Sequence, residues 1–438
     1  MKKSILLVIA LLFTTASFSQ NVVTLFNNAN NFFDLMEEQK FNQAHSLFED
    51  SVKTKISEEN LKKLWTDMHA ALGKTESIDA VQSKIQGELF AVTVEGKFER
   101  GTQDFILGFN KAQKIVGFFL APKVNSPKYL SPAYADTTLY SEKTAYIATP
   151  GHQLAAIITT PKNNKNFPVV VFVHGSGPYD MDETVGPNKP FKDLAAGLAA
   201  QGIGSIRYVK RTLIYPYEFQ KAFTVKEEVL DDANQALLMA KTIPGADLKG
   251  IYLFGHSLGG MLAPRIAASF PDLSGIIMAA APARKLTDMI IDQNKYLFSK
   301  MNDTTQKSKQ QFDLLVNELS KGRITQAGTM KPDSVILGLP VSYWVDLNNY
   351  DQVAATKNIT KQRILFLQGG NDYQVTEEDF NLWKTGLTGK QNIEYKFYPG
   401  INHLLSQQLE KGTGAQYQVF TSVSATLIND IVAWIKIK

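Results

Sequence analysis

The apolar positions of this chain fall into two regimes. Through residues 22–72 they recur at helical spacing: Phe32, Leu35 and Met36, then Ala44, Leu47 and Phe48, then Leu61, Leu64, Trp65, Met68 and Leu72. Ser57, followed by Glu58, Glu59 and Asn60, reads as a helix start with a capping box. After Gly73 the period drops to two. Residues 89–98 alternate, and 103–109 and 115–120 flank a polar turn at 110–113. Helices followed by an antiparallel meander predict an α+β domain over 20–121. Residues 122–135 hold three prolines and little periodicity, so 122–138 is expected to be a linker.

Beyond it, 140–147 and 154–160 predict two antiparallel strands joined across Pro150-Gly151. Residues 168–173 form a continuous β-branched run, as a fully buried strand requires. Helical and strand patterns then alternate: helix 191–200, strand 203–208, helix 225–241, strand 251–254, strands 275–280, 364–367 and 393–397, and an amphipathic helix over 423–437. Such alternation predicts an α/β fold over 139–438, a doubly wound, mostly parallel sheet. Residues 284–350 break the rhythm with helices and loops. An insertion there would lie above the carboxyl ends of the strands, as a lid; the alternative is a plain surface excursion.

Composition narrows the setting. Hydrophobic residues make up 44% and charged residues 20%, the balance of a soluble globular protein. Lys2 and Lys3, a short apolar stretch from Ile5 to Phe13, and Ser17 and Ser19 around Phe18 predict a signal peptide over 1–19, cleaved before Gln20. No apolar run approaches the length of a membrane span. A secreted or periplasmic protein without a membrane anchor is expected. Loss of the two lysines would lower the formal charge from +4 to +2, which gives no support to nucleic-acid binding. Cysteine is absent, which excludes thiol catalysis, thiolate metal sites and a lipoprotein anchor. No H-E-x-x-H, P-loop or G-x-G-x-x-G motif occurs, so neither metal nor cofactor is expected. His45 and His69 read as ordinary helix residues.

The candidate chemistry centres on Gly255-His256-Ser257-Leu258-Gly259-Gly260. An apolar strand leads into it and an apolar helical pattern leaves it, the setting in which G-x-S-x-G means a nucleophile elbow. On this fold the chain order is serine, acid, histidine. Of six histidines only His403 follows Ser257 at a useful distance, in a loop just past a strand. Asp372 follows the strand at 364–367; Asp351 comes one strand too early, and Glu377, Glu378 and Asp379 fit the first turn of a helix. For an oxyanion hole the donors are the N–H of Leu258 and one from His174-Gly175-Ser176-Gly177-Pro178, with Ser176 preferred and Gly175 the alternative. Gly177 belongs to the same supporting loop, where His174 is expected to hold the backbone by hydrogen bonds. The charged residues Asp180, Asp182 and Glu183 and the basic Arg207, Lys210 and Arg211 are expected to pair as a structural ion network.

These motifs together resemble the secreted bacterial carboxylesterases of the α/β-hydrolase superfamily. The likeness is carried by residues 174–178, by Asp180 with Asp182-Glu183, by 186–195, by 255–260 with 262–267, and by Gly369-Gly370-Asn371-Asp372. It runs from Tyr140 to the C-terminus and implies hydrolysis of small, short-chain acyl esters, with Ser257, Asp372 and His403 as the triad. One departure is Val209, where such proteins carry Asp in Arg-Tyr-Asp-Lys-Arg. The N-terminal element order resembles small nuclear-transport-factor-2-like or cystatin-like domains. Competing readings are a serine peptidase or amidase on the same fold, and a non-catalytic binding module; the oligomeric state is not set by the sequence.

Overall fold

A computed structural model describes residues 19–86, 89–121, 129–162, 164–300 and 306–437. The expected signal peptide, apart from Ser19, and residues 122–128 of the expected linker lie outside them. The chain divides into two compact units, Met1–Asn125 and Ser126–Lys438. Among the described residues no helix is long and apolar enough to cross a membrane.

In the first unit the helix Ser19–Glu37 is followed by the short helices Phe41–Ser46 and Asp50–Lys53 and by Glu58–Leu72. Ser57 caps the last of these. Its Oγ accepts the Asn60 N–H while Asn60 Oδ1 accepts the Ser57 N–H, both at 3.1 Å. Four strands complete the unit as an antiparallel meander: β1 (Thr75–Gln86), β2 (Leu89–Phe98), β3 (Gly101–Phe109) and β4 (Ile115–Leu120). The helical stripe Phe32, Phe33 and Met36 packs with Trp65 against Val92, Val94, Phe105 and Leu107 of the sheet. β1 escapes the sequence reading because polar residues such as Glu76, Ser77 and Asp79 dilute its alternation.

The second unit is a doubly wound sheet of eight strands. They are β5 (Tyr140–Thr149), β6 (His152–Pro161), β7 (Phe167–Val173), β8 (Gly204–Tyr208), β9 (Ala246–His256), β10 (Gly275–Ala279), β13 (Arg363–Gly369) and β14 (Ile393–Tyr398); β11 (Val335–Ile336) and β12 (Leu339–Pro340) form a separate small hairpin. The order across the sheet is β14-β13-β10-β9-β7-β8-β6-β5. From β8 to β14 all pairs are parallel; β5 and β6 add an antiparallel edge. The apolar runs have a simple cause. Val169, Val171 and Val173 face one core with Leu253, Ile276, Met278 and Phe366, while Val170 and Phe172 face the other with Phe254, Ile277, Leu365 and Leu367. Both faces are covered by helices, so β7 and β10 are apolar along both faces.

The order also fixes where a ligand can bind. From β7 the chain moves outward to β8, then crosses back to β9 on the other side of β7. The carboxyl ends of β7 and β9 therefore border a topological switch point, where loops diverge and leave a crevice. The helices Pro190–Ala200 and Ala425–Lys436 cover one face; Asp231–Ala240, Leu258–Ser269 and Glu377–Gly386 cover the other.

Asp193, in the helix Pro190–Ala200, ties this face together. Its carboxylate accepts Tyr129 Oη–H at 2.9 Å and the Val423 N–H at 3.0 Å. Burial nevertheless pushes its pKa up to about 6, with Asp182 pushing the same way and the two hydrogen bonds opposing. The ionised form is thus penalised in the folded chain only. This contribution favours folding at low pH and is lost as pH rises through about 6. Asp193→Asn should flatten that dependence: between about pH 4 and about pH 7 the parent should lose on the order of 2 kcal/mol more than the variant, read by urea unfolding at each pH.

Candidate active site

Ser257 stands between β9 and the helix Leu258–Ser269 with φ 52° and ψ −117°, a left-handed conformation that a side-chain-bearing residue avoids unless its surroundings impose it. Here they do. The Ser257 N–H donates to the Ala279 carbonyl of β10 at 2.9 Å, and its own carbonyl accepts the Met261 N–H at 2.9 Å. The turn closes only because Gly255 and Gly259 lack side chains. A Cβ on Gly255 would collide with the Gly259 carbonyl, and one on Gly259 with the backbone of Val173 and His174 at the end of β7.

Asp372 follows β13 and is fully buried. One carboxylate oxygen accepts the backbone N–H groups of Gln374 at 2.7 Å and Val375 at 2.9 Å; the other accepts His403 Nδ1–H at 2.7 Å. His403 lies five residues past β14, and its loop is clamped by Asn402. The Asn402 Oδ1 accepts the N–H groups of Leu404 at 3.0 Å and Ser406 at 3.2 Å. Asn402 was not singled out by its sequence, because a loop-clamping Asn looks like any polar loop residue. The other acids have different employment. Asp351 caps the helix Gln352–Lys357, accepting the Ala354 N–H at 2.8 Å. Asp379 and Glu378 sit in a helical first turn and also bind the Arg284 guanidinium.

Ser257 and His403 line one cavity of about 630 Å³. Among the described residues no hydrogen bond joins Ser257 Oγ to His403. The insert after β10 supplies part of the cavity wall through Leu286, Met289, Ile290 and Tyr343. The wall mixes apolar side chains such as Phe219, Phe223 and Leu286 with polar ones such as Gln293 and Gln374, a lining that suits a small organic ligand.

The loop after β7 is held from both edges. The Gly175 N–H donates to Glu183 Oε1 at 2.6 Å, and the Gly175 carbonyl accepts Lys210 Nζ at 2.9 Å. A trans peptide points its N–H opposite to its C=O, so Lys210 turns the Ser176 N–H the other way. Among the described residues neither Ser176 N–H nor Leu258 N–H donates to another backbone carbonyl. Gly177 adopts φ 106°, which favours glycine. His174 is buried, and burial pushes its pKa down to about 4 against the pull of Glu183. It is therefore neutral, with Nε2–H donating to the Asp180 carbonyl at 3.0 Å.

The expected ion network forms only in part. Arg207 Nε meets Asp182 at 2.8 Å, but Lys210 pairs with Glu228 at 2.7 Å and Arg211 with Asp232. Asp180 serves its own turn, accepting the N–H groups of Asp182 and Thr184. Glu183 turns inward, its Oε2 lying 2.9 Å from His256 Nδ1 as an ion pair set off the hydrogen-bond axis. No sequence signal marks the long-range partners Glu228 and Asp232.

Comparison with known proteins adds the following. Over 408 residues the chain is 33% identical to esterase EstD of Thermotoga maritima, spanning 92% of this chain and 93% of that protein. Est1E from Butyrivibrio proteoclasticus is a structural neighbour at 15% identity and a TM-score of 0.44, over 67% of this chain and 98% of its own. The esterase domain of a Rhodothermus marinus protein aligns at 16% identity and a TM-score of 0.41, over 67% of this chain and 97% of its own. Residues 29–118 match the family described as a protein of unknown function, DUF3887.

Gly259→Ala probes the close approach at the elbow. The added methyl has only backbone to displace, so stability should fall by about 1–3 kcal/mol or more, read by thermal melting and soluble yield. A variant melting with the parent would contradict the contact.

Proposed function

The chain belongs to the carboxylic ester hydrolases of the α/β-hydrolase superfamily represented by EstD, and on that premise we propose that Ser257, His403 and Asp372 are its catalytic triad. The observation that carries the proposal is the buried 2.7 Å bond between Asp372 and His403 Nδ1, beside a cavity that Ser257 shares. An Nδ1–H held by a carboxylate leaves Nε2 as the basic nitrogen. Ser257 Oγ attacks the ester carbonyl and His403 Nε2 takes its proton. The oxyanion is held by the N–H groups of Leu258 and Ser176, since the Gly175 N–H is engaged by Glu183. His403 then protonates the leaving alcohol. Water, deprotonated by the same nitrogen, cleaves the acyl-serine and restores the enzyme. Asp372 stays ionised throughout, fixing the tautomer and stabilising the imidazolium.

The reading extends to short acyl chains. On a p-nitrophenyl series from acetate to laurate, turnover should peak at the short end, and Ser257→Ala should reduce it to background without lowering the melting temperature. Asp372→Asn should cost up to about ten-thousandfold in kcat. Full activity in Ser257→Ala would remove the assignment.

Export belongs to the same reading, on the strength of the basic and apolar start of the chain. Protein recovered outside the cytoplasm should begin at Gln20 by N-terminal sequencing; an N-terminus at Met1 in that fraction would refute cleavage.

A further inference from the structure

Beside the proposed triad lies a second buried acid–histidine pair. Glu183 and His256 are 2% and 3% exposed, and both border the cavity that Ser257 and His403 line. Glu183 has φ 53°, a conformation costly for a side-chain-bearing residue, and the Asp180 turn imposes it. That turn aims the carboxylate inward. One oxygen accepts the Gly175 N–H and the other faces His256 Nδ1 at 2.9 Å. On its far side, His256 Nε2 donates to the backbone carbonyl of His403 at 2.8 Å, and the two imidazole rings lie 4.7 Å apart.

Both outer partners of His256 are acceptors. A carbonyl oxygen cannot donate, so Nε2 carries a proton, and the carboxylate 2.9 Å from Nδ1 favours a second proton there by charge. Burial works against that charge, yet Glu183 and the His403 carbonyl hold the His256 pKa above its ordinary value. Glu183 is likewise held below the usual carboxylate range, against its own burial, by His256 and the Gly175 N–H.

Resting on the serine-esterase reading above, we propose that Glu183 and His256 are positioning residues: a buried ion pair that fastens the loop carrying Ser176 to the backbone of His403. The two loops leave β7 and β14, which are not neighbours, so no sheet hydrogen bonds relate them. The chain Gly175 N–H, Glu183, His256, His403 carbonyl supplies that relation. It sets the oxyanion donor and the general base in one frame. A buried ion pair is poor value as a source of stability, because desolvation cancels much of the attraction. Its worth here is geometric.

That difference gives the test. Glu183→Leu/His256→Leu exchanges the pair for apolar side chains, a replacement that buried pairs often tolerate. The double variant should melt close to the parent. Its kcat on p-nitrophenyl acetate should fall about 10- to 100-fold, with KM changed less than about twofold, as misplacement of reacting groups predicts. Glu183→Gln should recover most of the rate, because an amide can accept the Gly175 N–H and donate to a neutral His256. A folded double variant with parental kcat overturns the proposal. So does one that fails to fold, since the pair then holds the fold and not the site, and so does a Glu183→Gln variant as slow as the double one. The serine-esterase reading is checked separately: if a fluorophosphonate fails to label the parent at Ser257, that reading falls whatever the Glu183 variants do.

Discussion

The helix behind Ser257 reaches the sheet because nothing stands between Gly259 and the carbonyls at the end of β7. This contact determines how closely the nucleophile turn and the His174–Pro178 loop can approach. Gly175 repeats it from the other side, where an added Cβ would come within 3.1 Å of the Ser257 Cβ. Two segments distant in sequence thus touch backbone to backbone, and the Ser176 and Leu258 amides come from its two sides. The left-handed φ of Ser257 follows from the same closeness, for a relaxed residue there would move the helix off the sheet.

Buried charge does related work around this contact. Arg207 within β8, and Lys210 and Arg211 just past it, are all buried, and each finds a carboxylate. Lys210 is the one that reaches the β7 loop, through the Gly175 carbonyl. Such pairs contribute little net stability but hold their groups to narrow geometry, which is what a loop beyond the end of a strand lacks. Val209, the unusual residue in this run, is itself buried beside them.

Much of this was legible in the sequence where the signal is local. Unbroken apolar runs marked β7, β10 and β13, because a strand covered on both faces has no polar side. The glycine spacing around Ser257 marked the elbow, since the steric demand falls within six residues. Asp372 and His403 could be picked out by chain order, and they lie hydrogen-bonded. What was not legible depends on tertiary placement. β1 is too polar along its length to announce itself. The helical pattern at 225–241 hides a π-helical turn, Lys226–Leu230, that presents Glu228 to Lys210. The pairing of Glu183 with His256 instead of a neighbouring cation follows from the left-handed turn at Glu183, which no residue type advertises.

β10 and β13 are adjacent in the sheet and in register, Gly275 opposite Arg363 and Ala279 opposite Leu367, although the insert separates them along the chain. The sheet therefore closes beneath the insert as though it were absent. Its side chains wall the cavity, yet the hydrogen-bonded ladder does not pass through it. The register of β10 against β13 does not depend on any hydrogen bond to a strand of the insert. The pairing of β10 with β13 and the shape of the cavity wall above it are thus set by different stretches of the chain.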